Sequence, residues 1–147
     1  MTIEKNIEYG IGKFAITSNR IIISDPGYEE GIWCQATLEN VMNGDYVARV
    51  IETNPINPKI SEITITHSDF LFKKLDFSLT DETIGIDSNT VGIFDNDHFE
   101  TDRKKINAGS IFGKLPHSVF THVRNGSYPL ATAKQNNKIV ALKIILL

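Results

Sequence analysis

Aspartate, histidine, serine and cysteine are the residues through which this chain could do chemistry. Asp25, Asp87, Asp95 and Asp97 all fall where extended segments end, and carboxylates gathered there by folding could hold a hard cation through oxygen ligands. Asp95-Asn96-Asp97-His98-Phe99-Glu100 nevertheless has glutamate where an EF-hand-type calcium loop needs glycine. The commoner work of an aspartate at a strand end is to accept nearby backbone N–H groups in an Asx turn. His67, His98, His117 and His122 lack zinc spacing and have no Cys-x-x-Cys partner, so no metal site is assigned. Ser88 has Ile86 and Thr90 where a nucleophile elbow has glycines. Cys34, beside Trp33, reads as a small buried apolar group. If catalysis occurs, Asp87, Asp95 and His98 are its candidates, in a small hydrolase or a carboxylate-bound metal enzyme.

These residues need elements to position them, and the pattern around them is extended. Thr83 to Asp97 carries two short apolar runs, each with a glycine, joined by Asp87-Ser88-Asn89, and reads as a tight β-hairpin. Phe14 to Ser24 predicts two short strands broken at Ser18-Asn19-Arg20, stopped by the bend Asp25-Pro26-Gly27. Gly10-Ile11-Gly12-Lys13-Phe14-Ala15 matches a dinucleotide-binding pattern on paper, but strand-like sequence follows where that motif needs a helix. Asn43-Gly44 predicts a hairpin into the strand Asp45 to Glu52, the stretch from Asn54 to Pro58 a loop, and Ile60 to Thr66 a further strand.

One or two short helices are expected. One is short, over Ser68 to Leu75 with a serine cap; the other runs from Asp95 or Asn96 to Lys105, ending before Gly109. Its early acids and late bases complement a helix dipole. Ser118 to Val123, Tyr128 to Lys134 and Lys138 to Leu146 read as a β-meander turning at Asn125-Gly126 and Asn136-Asn137. The stretch Ile139 to Leu147 is apolar at nearly every position, which predicts a central strand covered on both faces. No internal repeat is evident along the chain.

At 147 residues the chain is long enough for one β-rich domain, 1–147, with its own core. The hydrophobic fraction of 41% and charged fraction of 22% are those of a globular protein. A net charge of −3 gives no field that gathers nucleic acid or an anionic membrane, so neither is an expected partner. The start Met1 to Asn6 lacks the pattern of a secretory signal, and a single cysteine excludes an internal disulfide. A cytoplasmic location follows as the expectation.

Three separated pieces, Ser24 to Tyr28, Gly85 to Asp95 and Asn125 to Pro129, occur in an order that resembles a bacterial family of domains of unknown function. In that family they read roughly as Asp-Pro-Cys-Tyr, Val-Asp-Ser-Gly with Gly-Ile-Phe-Asp, and Gly-Asp-Gly-Ser-Tyr-Pro. The resemblance spans most of the chain from residue 24 onward and implies a β-rich fold, with no activity attached. Gly27, Asn89 and Arg124-Asn125 depart from it. The expected fold is mainly β, an antiparallel sandwich or partly open barrel with one or two short helices, with α+β as the alternative. The expected function is a non-enzymatic binding module that presents Asp25, Tyr28, Asp87, Ser88, Asn89, Asp95 and Tyr128 to a protein or a small polar ligand. No cofactor is assigned.

Overall fold

The computed structural model describes residues 6–32, 34–53, 59–106 and 111–146. Trp33, the loop from Asn54 to Pro58, Gly109 and Leu147 lie outside the described residues, as does nearly all of the start Met1 to Asn6.

The strands are β1 (Asn6–Ile16), β2 (Ile21–Ser24), β3 (Ala36–Leu38), β4 (Gly44–Thr53), β5 (Lys59–His67), β6 (Ser78–Ile86), β7 (Thr90–Asp95), β8 (Phe112–Leu115), β9 (Ser118–His122), β10 (Gly126–Gln135) and β11 (Lys138–Ile145). They form two antiparallel sheets that stack as a sandwich and do not close into a barrel. The six-stranded sheet runs β1-β4-β5-β11-β10-β6, and the five-stranded sheet runs β3-β2-β7-β9-β8. The two inner faces meet in one core that includes Phe14, Ile23, Tyr46, Ile63, Ile84, Ile93, Leu130 and Leu142. Each such aliphatic or aromatic side chain contributes roughly 1.5–3 kcal/mol by leaving water.

β11 sits fourth of six in its sheet, between β5 and β10, which is why nearly every residue of it is apolar. A strand so placed is no bare edge for self-association. β7 is buried along its whole length, because its inner face meets the core while its outer face is covered. The cover is a short helix, α1 (Phe99–Arg103), whose Phe99 packs edge-on against Phe94 at 4.9 Å, with Ile22 and Ile106 alongside. No described helix is long and apolar enough to cross a membrane.

The expected turns are where sequence and structure part. Asp87-Ser88-Asn89 does not close a hairpin: Ile86 pairs with Gly126 across one sheet, whereas Thr90 pairs with His122 across the other. The turn carries the chain from layer to layer, with Asn89 at φ 58°. The same correction holds for Asn43-Gly44, which passes from β3 to β4, and for Asn125-Gly126, which passes from β9 to β10. Of the expected meander, only β10 and β11 pair as neighbours across Asn136-Asn137. Both helices are shorter than expected. The first is a 3-10 turn over Ser68–Phe70 capped by His67 rather than by Ser68, and the second is a 3-10 turn, Asn96–His98, followed by the five residues of α1.

Candidate functional site

Asp25 organises one end of the sandwich. Pro26 and Gly27 turn the chain immediately after β2, so its carboxylate stays at the strand end, only 1% exposed. Gly27 donates its N–H to Oδ1 at 2.7 Å. Asp87 and Ser88 donate theirs to Oδ2 at 2.8 and 2.7 Å, and the Ser88 hydroxyl donates to Oδ1. One buried carboxylate thus ties its own loop to the turn that enters β7. The next link is Asn89, whose N–H donates to Asn125 Oδ1 at 2.7 Å and whose side-chain amide donates to the Val123 carbonyl at 3.3 Å. Tyr128 closes the set by donating its hydroxyl to the Arg124 carbonyl.

Three loops far apart in sequence therefore share one rim. Asp25, Tyr28, Asp87, Ser88, Asn89 and Tyr128 stand there together; Asp95 does not. Tyr28 donates its N–H to the Asp25 carbonyl at 3.1 Å, and its phenol pKa is raised above the ordinary value by desolvation first, then by the electrostatic effect of Asp87, Cys34 and Asp25. Tyr128 is raised by desolvation, against an opposing effect of Arg124.

Asp95 closes β7 at the opposite end, about 17 Å from the Asp87 turn at the ordinary rise of a strand. It is fully buried. Thr17 donates its N–H at 3.2 Å and its hydroxyl at 2.8 Å, Ser18 donates its N–H at 3.1 Å as well as its hydroxyl, and His98 Nδ1 stands 2.8 Å from Oδ2. Desolvation pushes the carboxyl pKa up, but the hydrogen bonds from Ser18, Thr17 and His98 together outweigh it and leave the pKa below the ordinary carboxylate value.

An ionised Asp95 can only accept, so a neutral His98 carries its proton on Nδ1 and presents Nε2 as a lone pair. His117 is fixed in the same way by the Ala15 carbonyl, 3.0 Å from its Nδ1. The two imidazoles stack at 3.7 Å with their planes 4° apart. Asp95, His98 and His117 offer ligand atoms within 4.8 Å of one another, the one such grouping among the described residues. Rings stacked in parallel planes, however, do not converge their in-plane lone pairs on one point, and Asp95 is already engaged by hydroxyls, backbone and imidazole. A single ion would need one ring to turn. What the arrangement offers as it stands is an oriented imidazole backed by a buried carboxylate. Asp87, at the far end of β7, is not part of it.

The stacked pair could not be found from spacing along the chain. His98 follows β7 and His117 precedes β9, and only the pairing of these strands, with Phe94 opposite Ser118, brings the rings together. Next to them Asp102 accepts the Ser118 hydroxyl at 2.9 Å, both residues being buried. His67 has a structural role: Nε2 faces the Asn43 carbonyl at 3.0 Å and Nδ1 accepts the Asp69 N–H at 3.1 Å. His122 lies exposed at the end of β9. Comparisons with known protein families, with curated proteins and with solved structures gave no match to this chain.

Proposed function

We propose that the protein is a non-enzymatic binding module of the cytosol, and that the rim built on Asp25 is its recognition surface. One observation carries this reading: the Asp25 carboxylate is saturated by donors from two loops, so it holds the rim rigid instead of acting on a substrate. Above that buried lock, Asp87, Arg124, Asn125 and Ser127 are exposed and Tyr28 half-exposed, a preorganised polar surface suited to a protein partner or a small polar ligand. Preorganisation matters because loops already fixed lose little entropy on binding. The test is a thermal-shift panel of divalent cations, nucleotides and sugars, followed by affinity capture of protein partners. A ligand at 100 times its Kd adds about 2.7 kcal/mol of stability. Tyr28→Ala and Asp87→Ala should abolish the response while leaving the unliganded melting temperature in place. A ligand or partner that binds both variants as well as the parent would remove the rim from consideration.

A second reading rests on the Asp95–His98 pair. A buried carboxylate orienting an imidazole is the arrangement of a general base, and it supports a small hydrolase acting at that opposite end. Hydrolysis of simple carboxylic or phosphate esters that is abolished in His98→Asn would establish it. Equal rates for parent and variant would end it.

A further inference from the structure

The strand orders read the same from either side. β1-β4-β5 is followed by β11-β10-β6 in one sheet, and β3-β2 by β7-β9 in the other, with β8 added outside. This pairs β1 with β6, β2 with β7, β3 with β9, β4 with β10 and β5 with β11. We infer that the chain is two intertwined copies of one five-stranded unit, related by an internal twofold axis.

The axis can be located. Ile23 pairs with Ile93 in one sheet and Thr64 with Lys143 in the other, and each pair joins equivalent positions of the two copies. Registers agree about it: Phe14 opposite Tyr46 and Ile16 opposite Gly44 reappear as Ile84 opposite Tyr128 and Ile86 opposite Gly126. The β4–β5 pairing is irregular at Ile51/Glu52 and the β10–β11 pairing at Ala133/Lys134, the same step into each strand.

Architecture alone could be symmetric for packing reasons, but packing does not require the same side chain in the same hydrogen bond. Ile16-Thr17-Ser18-Asn19 and Ile86-Asp87-Ser88-Asn89 are followed at one constant spacing by Asp25 and Asp95. Each aspartate then caps the other copy's turn: Ser88 N–H and hydroxyl on Asp25, Ser18 N–H and hydroxyl on Asp95. Val41-Met42-Asn43-Gly44-Asp45-Tyr46 matches Val123-Arg124-Asn125-Gly126-Ser127-Tyr128. Asn19 and Asn89 both sit at φ 58° and donate their N–H groups at 2.7 Å to Asn43 and Asn125. Val41 and Val123 return their N–H groups at 3.0 Å to the Asn19 and Asn89 carbonyls. Tyr46 and Tyr128 each donate to the carbonyl four residues back.

Residues repeated in both copies serve the scaffold, and Asp25, Ser88, Asn89, Asp95 and Tyr128 are all of this kind. Chemistry specific to one copy lies where the copies differ. After the buried aspartate one copy has Tyr28 and the other His98; one has the Asp87 turn side chain and the other Thr17. The stacked His98–His117 pair and the segment from α1 through β8 belong to the second copy alone.

Two measurements test the equivalence. Asn43→Ala and Asn125→Ala remove mated caps from exposed positions, and their melting temperatures should fall by amounts within about a factor of two of each other. A circular permutant opened between Lys73 and Lys74, with a second copy of Ser68 to Phe77 joining residue 146 to residue 6, should fold and melt within about 5 °C of the parent. The joining segment is long enough because the axis maps the gap from β5 to β6 onto that from β11 to β1. A permutant without the parent's circular dichroism, or an asparagine pair of which only one member matters, would overturn the inference.

Discussion

Two buried carboxylates perform one physical task at opposite ends of the molecule, and each is expensive to disturb. Asparagine at position 95 would present an amide donor to donors already in place, leaving buried groups unsatisfied. Asp95→Asn should cost about 3 kcal/mol in urea unfolding. The pKa of Asp95 is lowered by folding, so its contribution is complete above the unfolded carboxyl value of about 3.9 and is lost as pH falls through the lower folded value. Urea midpoints measured from pH 7 down to pH 2 should therefore fall less steeply in Asp95→Asn than in the parent. Tyr46 titrates in the opposite sense. Its hydroxyl donates to the Met42 carbonyl at 2.6 Å, and desolvation raises the phenol above its ordinary value. Stability attributable to it is complete below about pH 10 and declines as pH rises toward the folded value. Tyr46→Phe should be less stable than the parent at neutral pH, and the gap should narrow in alkali.

At the scale of elements, the decisive feature is that asparagine-rich turns cross between layers rather than closing hairpins. Alternating apolar residues flanking Asn-Gly look the same in either case, because the pattern reports one buried face and says nothing of which strand lies alongside. The distinction is made by distant partners: Asp25 captures the Asp87-Ser88 turn, and Asn125 captures Asn89. Glycine is required at the entries to β4 and β10. Gly44 has φ 138° and a Cβ there would run into the His67 ring, whereas Gly126, at φ 156°, faces only the Tyr128 hydroxyl and ring, at 3.5 Å or more. Gly44→Ala should lose about 2–3 kcal/mol, and Gly126→Ala clearly less, by chemical denaturation. The charge order that suggested a long helix after Asp95 was real but insufficient. A dipole preference of under 1 kcal/mol per charge does not extend a helix beyond the apolar residues that anchor it, here Phe99 with Ile106 beside it.

For the whole molecule, stability resides in the layer between the sheets, and Ile93 lies at its centre, paired with Ile23 and fully buried. Ile93→Ala should cost about 3–4 kcal/mol, since the surrounding strands are held by their ladders and cannot collapse into the space. Composition and alternation by themselves determined that the chain is mainly β, that its C-terminal strand is central, and that Asp25, Asp87 and Asp95 stand at strand ends, because burial imposes a period that is local. Tertiary structure alone decided which ends meet. It set Asp25 beneath the Asp87 turn, sent Asp95 to the far side, stacked His98 on His117, and gave meaning to the short matching segments 16–19 and 86–89, and 41–46 and 123–128, by joining them in mutual hydrogen bonds. Those outcomes depend on strand pairing and on hydrogen bonds between residues as many as 102 positions apart, which no local pattern encodes.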